Sequence, residues 1–247
     1  MSENFSNFSD DFFINLDLMT ALQLPQSRET ILQFFEATQK QFPDMADFYQ
    51  RESGEYIIEG DRGAGSYRWV ELETRRLSAG SFNPADTETA CRQHSWVLDR
   101  SRYYLGISHL DVESQDLIYG FNLDFTGNRD AIVWEALLSG SLLASLVGQD
   151  MPIVNCEPSL IIGLEPTLGM QARLAIETHN SSYQIRTGNY EEEPISVYFT
   201  VRSHPRPGEQ FDLVTSLRRQ AEMAEDMLTN IVIPRIIQPI RSAIAAR

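Results

Sequence analysis

The sequence predicts an α+β protein: mainly antiparallel sheet, in one piece or more, built from hairpins, packed with about four helices and ending in a long C-terminal helix. Three observations lead there. Leu117, Tyr119, Phe121, Leu123 and Phe125 alternate with Ile118, Gly120, Asn122, Asp124 and Thr126, a period of two that sets one face of a strand against a core. Val214, Leu217, Ala221, Ala224, Leu228 and Ile231 recur at spacings of three and four, the seam of a helix packed on another element. Strand-like segments also follow one another with single helices between them, the order of an antiparallel sheet rather than of a doubly wound parallel one.

The elements follow in order. Residues 1–26 read as an N-terminal tail or docking segment. The first eleven mix Ser, Asn, Asp and Phe, and Phe12, Phe13, Ile14, Leu16, Leu18, Leu22 and Leu24 suit a short docking helix that Pro25 stops. Ser27 can cap a helix over 27–42, with Ile31, Phe34, Phe35, Thr38 and Phe42 on one face and Pro43 as its end. Strands at 54–60 and 66–77 form a hairpin around the glycine-rich turn 61–65. A helix over 86–98 starts at Asp86 or Thr87, and strands at 102–108 and 116–126 follow.

Asn128 can cap a helix reaching about Val147, with Asp130 complementing its dipole in the first turn. Strands at 159–164, 170–179, 183–187 and 195–202 come next, then a proline-rich hinge at 204–208 and the last helix over 209–233. Pro234 and Pro239 limit the remaining residues to a short turn or two. The expected organisation is the tail, an α+β half over 27–148 (helix, hairpin, helix, hairpin, helix) and a four-strand half over 149–247 with the C-terminal helix. These form one compact unit of two related halves.

Composition narrows the function. The chain of 247 residues is 42% hydrophobic and 22% charged, ordinary for a globular protein, but its formal net charge is −15. Nucleic-acid binding needs clustered Lys and Arg, and the closest basic pairs, Arg75–Arg76 and Arg218–Arg219, are not a patch. Lys40 is the one lysine among 20 basic residues. Residues 131–147, the longest apolar stretch, include Trp134, Glu135 and several Ser and Gly, short of the ~20 apolar residues of a membrane span. Two cysteines, Cys91 and Cys156, are too few for a disulfide framework, and residues 1–11 are acidic rather than basic, so a cytoplasmic location is expected.

No catalytic motif emerges, and no metal or cofactor is expected. Cys91 and His94 lie one helical turn apart, but two ligands do not make a metal site. The glycines at 60–65 sit between strands and lack the lysine of a phosphate loop. The one constellation suited to a small ligand is Asn122, Asp124, Asn128 and Arg129, where a strand delivers its polar face to a helix N-terminus able to hold an anion. The plain alternative is a half-buried strand followed by a cap and a first-turn carboxylate. For a partner, the C-terminal seam offers Val214, Leu217, Leu228 and Ile231, either to its own sheet or to a second copy.

The order helix, hairpin, helix, strand pair, helix over 27–148, with the strong acidity, is similar in outline to small acidic secretion chaperones and related peptide-binding domains. That resemblance implies contact with another protein or peptide through a groove or an added strand. The expected function is therefore a non-catalytic protein-binding role, adaptor or chaperone-like, in a homodimer. The rivals are a small-ligand receptor or enzyme at Asn122, Asp124, Asn128 and Arg129, and a structural protein whose last helix builds an oligomer.

Overall fold

The segment expected to form a docking helix is instead a central strand. β1 (Asp11–Thr20) buries Phe12, Ile14, Leu16, Leu18 and Thr20 and leaves Phe13, Asn15, Asp17 and Met19 on the opposite face. That strict alternation satisfies a strand, whereas a helix would scatter the same residues around its circumference. The computed structural model describes residues 5–148, 151–206, 208 and 210–247. The first residues of the expected tail, part of the proline-rich hinge and the expected helix start at Glu209 lie outside the described residues.

After β1 come α1 (Arg28–Gln41), β2 (Asp47–Gln50), β3 (Tyr56–Glu59), β4 (Tyr67–Leu72), β5 (Arg76–Phe82) and α2 (Thr87–Tyr104). The chain continues with β6 (Val112–Asp124), α3 (Arg129–Val133), β7 (Ser159–Gly163), β8 (Met170–Glu177), α4 (Ser182–Thr187), β9 (Pro194–Ser203), α5 (Leu213–Met227) and α6 (Gln238–Ala245). All nine strands join one antiparallel sheet in the order β2-β3-β4-β5-β1-β6-β9-β8-β7. The protein is α+β, with a long C-terminal helical segment from Leu213 to Ala245.

The sheet has an internal repeat of connection. β1, α1, the meander β3-β4-β5 and α2 are matched by β6, α3, the meander β7-β8-β9 and α5. In each repeat the last meander strand returns beside the first strand, and β1 and β6 pair at the middle. β2 has no counterpart strand among the described residues of the second repeat. In this repeat of connection β6 and α3 open the second set of elements, and β6 pairs with both β1 and β9.

Capping sets where helices begin. Ser27, Asp86, Asn128 and Asp212 each accept a backbone N–H of the first turn of α1, α2, α3 and α5. Two buried glutamines tie helices to the sheet. Gln93 of α2 donates to the carbonyls of Trp69 and Gly80 and accepts from Ser81. Gln220 of α5 donates to those of Gln115 and Val201, and accepts from the Gln115 side chain. The core lies between the sheet and these helices, and includes Ile58, Val70, Leu117, Phe121, Phe199 and Leu217.

Other local expectations change. Residues 102–104 stay helical as the end of α2, rather than opening a strand at 102–108. The expected strand at 183–187 is the short helix α4. Ser181 and Gln184 exchange side-chain-to-backbone bonds at its start, and Gly188 closes it at φ 72°. The helix expected over 128–147 breaks up: α3 passes into a wide π turn at Trp134–Leu138, then a separate 3-10 turn at Leu142–Leu146. Pro234 does not end the last helix. The stretch Leu228–Ile237 widens to π geometry around it, which accommodates a residue that has no N–H to give.

Candidate functional site

The four residues proposed for a ligand are strung along hydrogen bonds. Asn128 caps α3 through Oδ1, while its amide donates to the Ile153 carbonyl at 2.9 Å. Asn122 lies on the sheet face away from the helices and accepts from Ser196 Oγ at 2.9 Å. His179, with φ 54°, contacts the same hydroxyl through Nε2. Asp124 is exposed at the end of β6, and its backbone N–H donates to Asp10.

Arg129 decides what this junction can do. Its side chain is fully buried. The guanidinium donates to the carbonyls of Thr178 (2.5 Å), Glu193 (2.8 Å) and Glu191 (2.9 Å), with longer contacts to Phe125 and His179. These carbonyls come from the end of β6, the loop after β8 and the loop before β9. Burial lowers the guanidinium's pKa, and the nearby Glu193, Asp130 and Glu191 oppose that. The cation is thus held by backbone dipoles and pins these loops together.

The field at the end of β6 also disfavours an anion. Partial burial, followed by the charges of Asp10, Asp11 and Glu192, raises the Asp124 pKa. Behind Arg129, Asp130 is buried and accepts from the Cys156 N–H at 2.6 Å and from Thr178 Oγ1 at 2.8 Å. Burial, then Asp130 and Glu157, pushes the Cys156 thiol up to about 11, which leaves it protonated and a poor nucleophile. The neighbouring depression is lined by His179, Tyr183, Asn189 and Tyr190, and by none of the four proposed residues. Among the described residues, no three His, Cys, Asp or Glu side chains converge as metal ligands, and no helix is long and apolar enough to cross a membrane.

Comparison with known proteins adds no identity: no family model, curated protein or solved structure matches the chain.

The C-terminal seam is divided. Leu217 is buried and Val214 partly buried because α5 packs on β9, β6 and α2, and Leu228, just beyond α5, is buried in the same core. Ile231 alone of the four is well exposed, at 50%. The exposed apolar surface lies elsewhere. Leu142 (95% exposed), Leu143 and Leu146 project from the turn after α3, and Met151 and Val154 follow on the connector. Beyond them, β7 is exposed along its whole length, including Leu160, Ile161 and Ile162. The uninterrupted Leu-Ile-Ile run signals a strand, but an apolar run of that length reads equally well as a buried one.

Proposed function

We propose that this protein is a non-catalytic protein-binding component, adaptor-like or chaperone-like, that takes an apolar segment of another protein. The observation that carries this reading is the strip of Leu142, Leu143, Leu146, Met151 and Val154. These five large apolar side chains are held in water between α3 and β7. Large apolar side chains left in water along one stretch of chain are a common mark of a contact site. The polar junction at Arg129 supports the same direction, since its donors are occupied by the protein's own carbonyls. A cytoplasmic setting belongs to this reading, and the two free thiols, Cys91 and Cys156, suit a reducing compartment.

Selection of a displayed random-peptide library against the immobilised chain tests it. Enriched peptides should carry spaced apolar anchors. Their affinity by fluorescence anisotropy should fall about tenfold, or ~1.4 kcal/mol, in a Leu142→Ser/Leu146→Ser variant. A library that yields no binder, or binders indifferent to the double substitution, would overturn the reading.

A further inference from the structure

The sheet ends very differently on its two sides. At the β2 side, α1 and the Phe35–Phe48 ring pair lie near the edge, and Ile58 of β3 is 1% exposed. β2 itself is four residues long and begins with a charge, Asp47. Short length and charge are the usual protections of a sheet edge. The β7 side has neither a counterpart of β2 among the described residues nor a covering helix. α3 and the π turn Trp134–Leu138 pack toward α6 instead. Leu160 is 62% exposed and Ile161 60%, although their side chains leave the strand on opposite faces. Residues 158–164 carry no ionisable side chain, in a chain of net charge −15.

The hydrogen-bond parity shows which groups are on offer. Leu164 N–H donates to the Met170 carbonyl, and Pro158 C=O accepts from Ile176. Even-numbered residues of β7 therefore bond to β8, in register with Leu160↔Leu174 and Ile162↔Ala172. Ser159, Ile161 and Gly163 direct their N–H and C=O groups outward, away from β8.

We propose that this edge pairs with the β7 edge of a second copy, across a two-fold axis at Ile161, to make one continuous antiparallel sheet through both molecules. The geometry is self-complementary. Ile161 faces Ile161 of the second copy, Leu160 faces Ile162, and Ser159 faces Gly163, so every outward N–H and C=O of β7 gains a partner. Leu160 and Ile162 then cover one another on the helix side, and the Ile161 pair does so on the other face. Charge selects the occupant. An acidic chain draws basic partners to its charged surface, but this edge carries no charge and matches an uncharged strand. Another β7 is such a strand, already extended, so it loses less conformational entropy on pairing than a flexible peptide would. This contact uses β7 rather than the strip at 142–154, and it stands whether or not that strip binds a partner.

Sedimentation and light scattering of the full chain across a concentration series test the pairing. The wild type should run as a dimer of the 28.1 kDa chain. Ile161→Glu sets two carboxylates against each other on the axis and should return the mass to that of a monomer, with an unchanged circular dichroism spectrum. Ile231→Glu, on the exposed side of the C-terminal helix, should remain dimeric.

Cysteine pairing reads the register. In the proposed pairing Ile161→Cys places two sulfurs opposite each other, with Cα atoms about 5.5 Å apart, and should yield a disulfide-linked dimer under mild oxidation. Leu160→Cys sits opposite Ile162 of the second copy and should not cross-link. A monomeric wild type, a dimer that survives Ile161→Glu, a dimer lost in Ile231→Glu, or cross-linking at 160 rather than 161 would each overturn the proposal.

Discussion

Asp17 of β1 stands directly opposite Asp116 of β6 in the register of the central strand pair, on the face of the sheet away from the helices. The next position outward holds Arg202, which grips Asp116 through two bonds of 2.7 and 2.5 Å. Asp17 accepts a hydrogen bond from the Ser78 hydroxyl, at 2.6 Å. Burial, aided by the charges of Asp116 and Glu73, raises its pKa, against the Ser78 bond and Arg76. A carboxylate with a raised native pKa favours folding below its unfolded value, 3.8 here, and loses that contribution as pH rises through the native pKa. Asp17→Asn keeps an acceptor for Ser78 and removes the charge. It should stabilise the protein by ~1 kcal/mol at pH 7, and the gain should vanish near pH 3. Urea titrations at the two pH values check this; a destabilised variant at pH 7 would count against it.

Arg129→Met should be among the most damaging single substitutions. It strips the donors from the carbonyls of Thr178, Glu191 and Glu193, and a destabilisation of at least ~3 kcal/mol is expected. Arg129→Lys should restore little, because one ammonium cannot span carbonyls arranged around a planar fork. Chemical denaturation of the two variants gives the answer, and a loss below ~1 kcal/mol for Met would show that solvent replaces the arginine.

Gly120 of β6 lies under the ring of Phe13, its register partner in β1, and an added Cβ would collide with that ring. Gly120→Ala should therefore cost ~2 kcal/mol for steric reasons alone. In a Phe13→Ala background the same substitution should cost much less. A double-mutant cycle measures the coupling directly, and additive effects would place the strain elsewhere.

His94 is fully buried in α2, and neither ring nitrogen has a partner among the described residues. Burial draws its pKa from 6.5 down to about 3, so the native ring stays neutral. The unfolded chain takes up the proton first as pH falls, so this residue's contribution is complete above about pH 6.5 and is lost as pH falls toward 3. The slope attributable to His94 should approach ~1.4 kcal/mol per pH unit inside that window. His94→Met should flatten it, and parallel slopes for variant and wild type between pH 4 and 6 would exclude the assignment.

The two thiols should be inert in the native state. Burial, with Glu225 second, pushes Cys91 up to about 12, and Cys156 reaches about 11. A thiol reagent at pH 8 should label neither at the rate of a free thiol, and both should react on unfolding. Rapid native labelling of either would show an access route absent from the fold described.

Local chemistry was legible in the sequence. Ser27, Asp86 and Asn128 begin their helices as caps, since a cap requires only a side-chain oxygen within three residues of its donor. The alternation of β6 and the seam running through α5 were equally plain, because burial on one face imposes a short period. The capping signal at Ser181 and Gln184 and the alternation from Phe12 to Leu18 are present too, but their composition also suits the expected strand and docking helix. What only the tertiary structure decided is who meets whom. β1 pairs with β5 and β6 across long loops, and Arg129 turns inward because carbonyls from distant segments converge on it. Leu217 and Leu228 are buried in the protein's own core, while Leu160 and Ile161, no less apolar, lie at an edge that nothing in the chain reaches among the described residues. Period and capping are properties of a few adjacent residues. Exposure depends on elements that loops bring together from a hundred residues away, and no short window of sequence contains them.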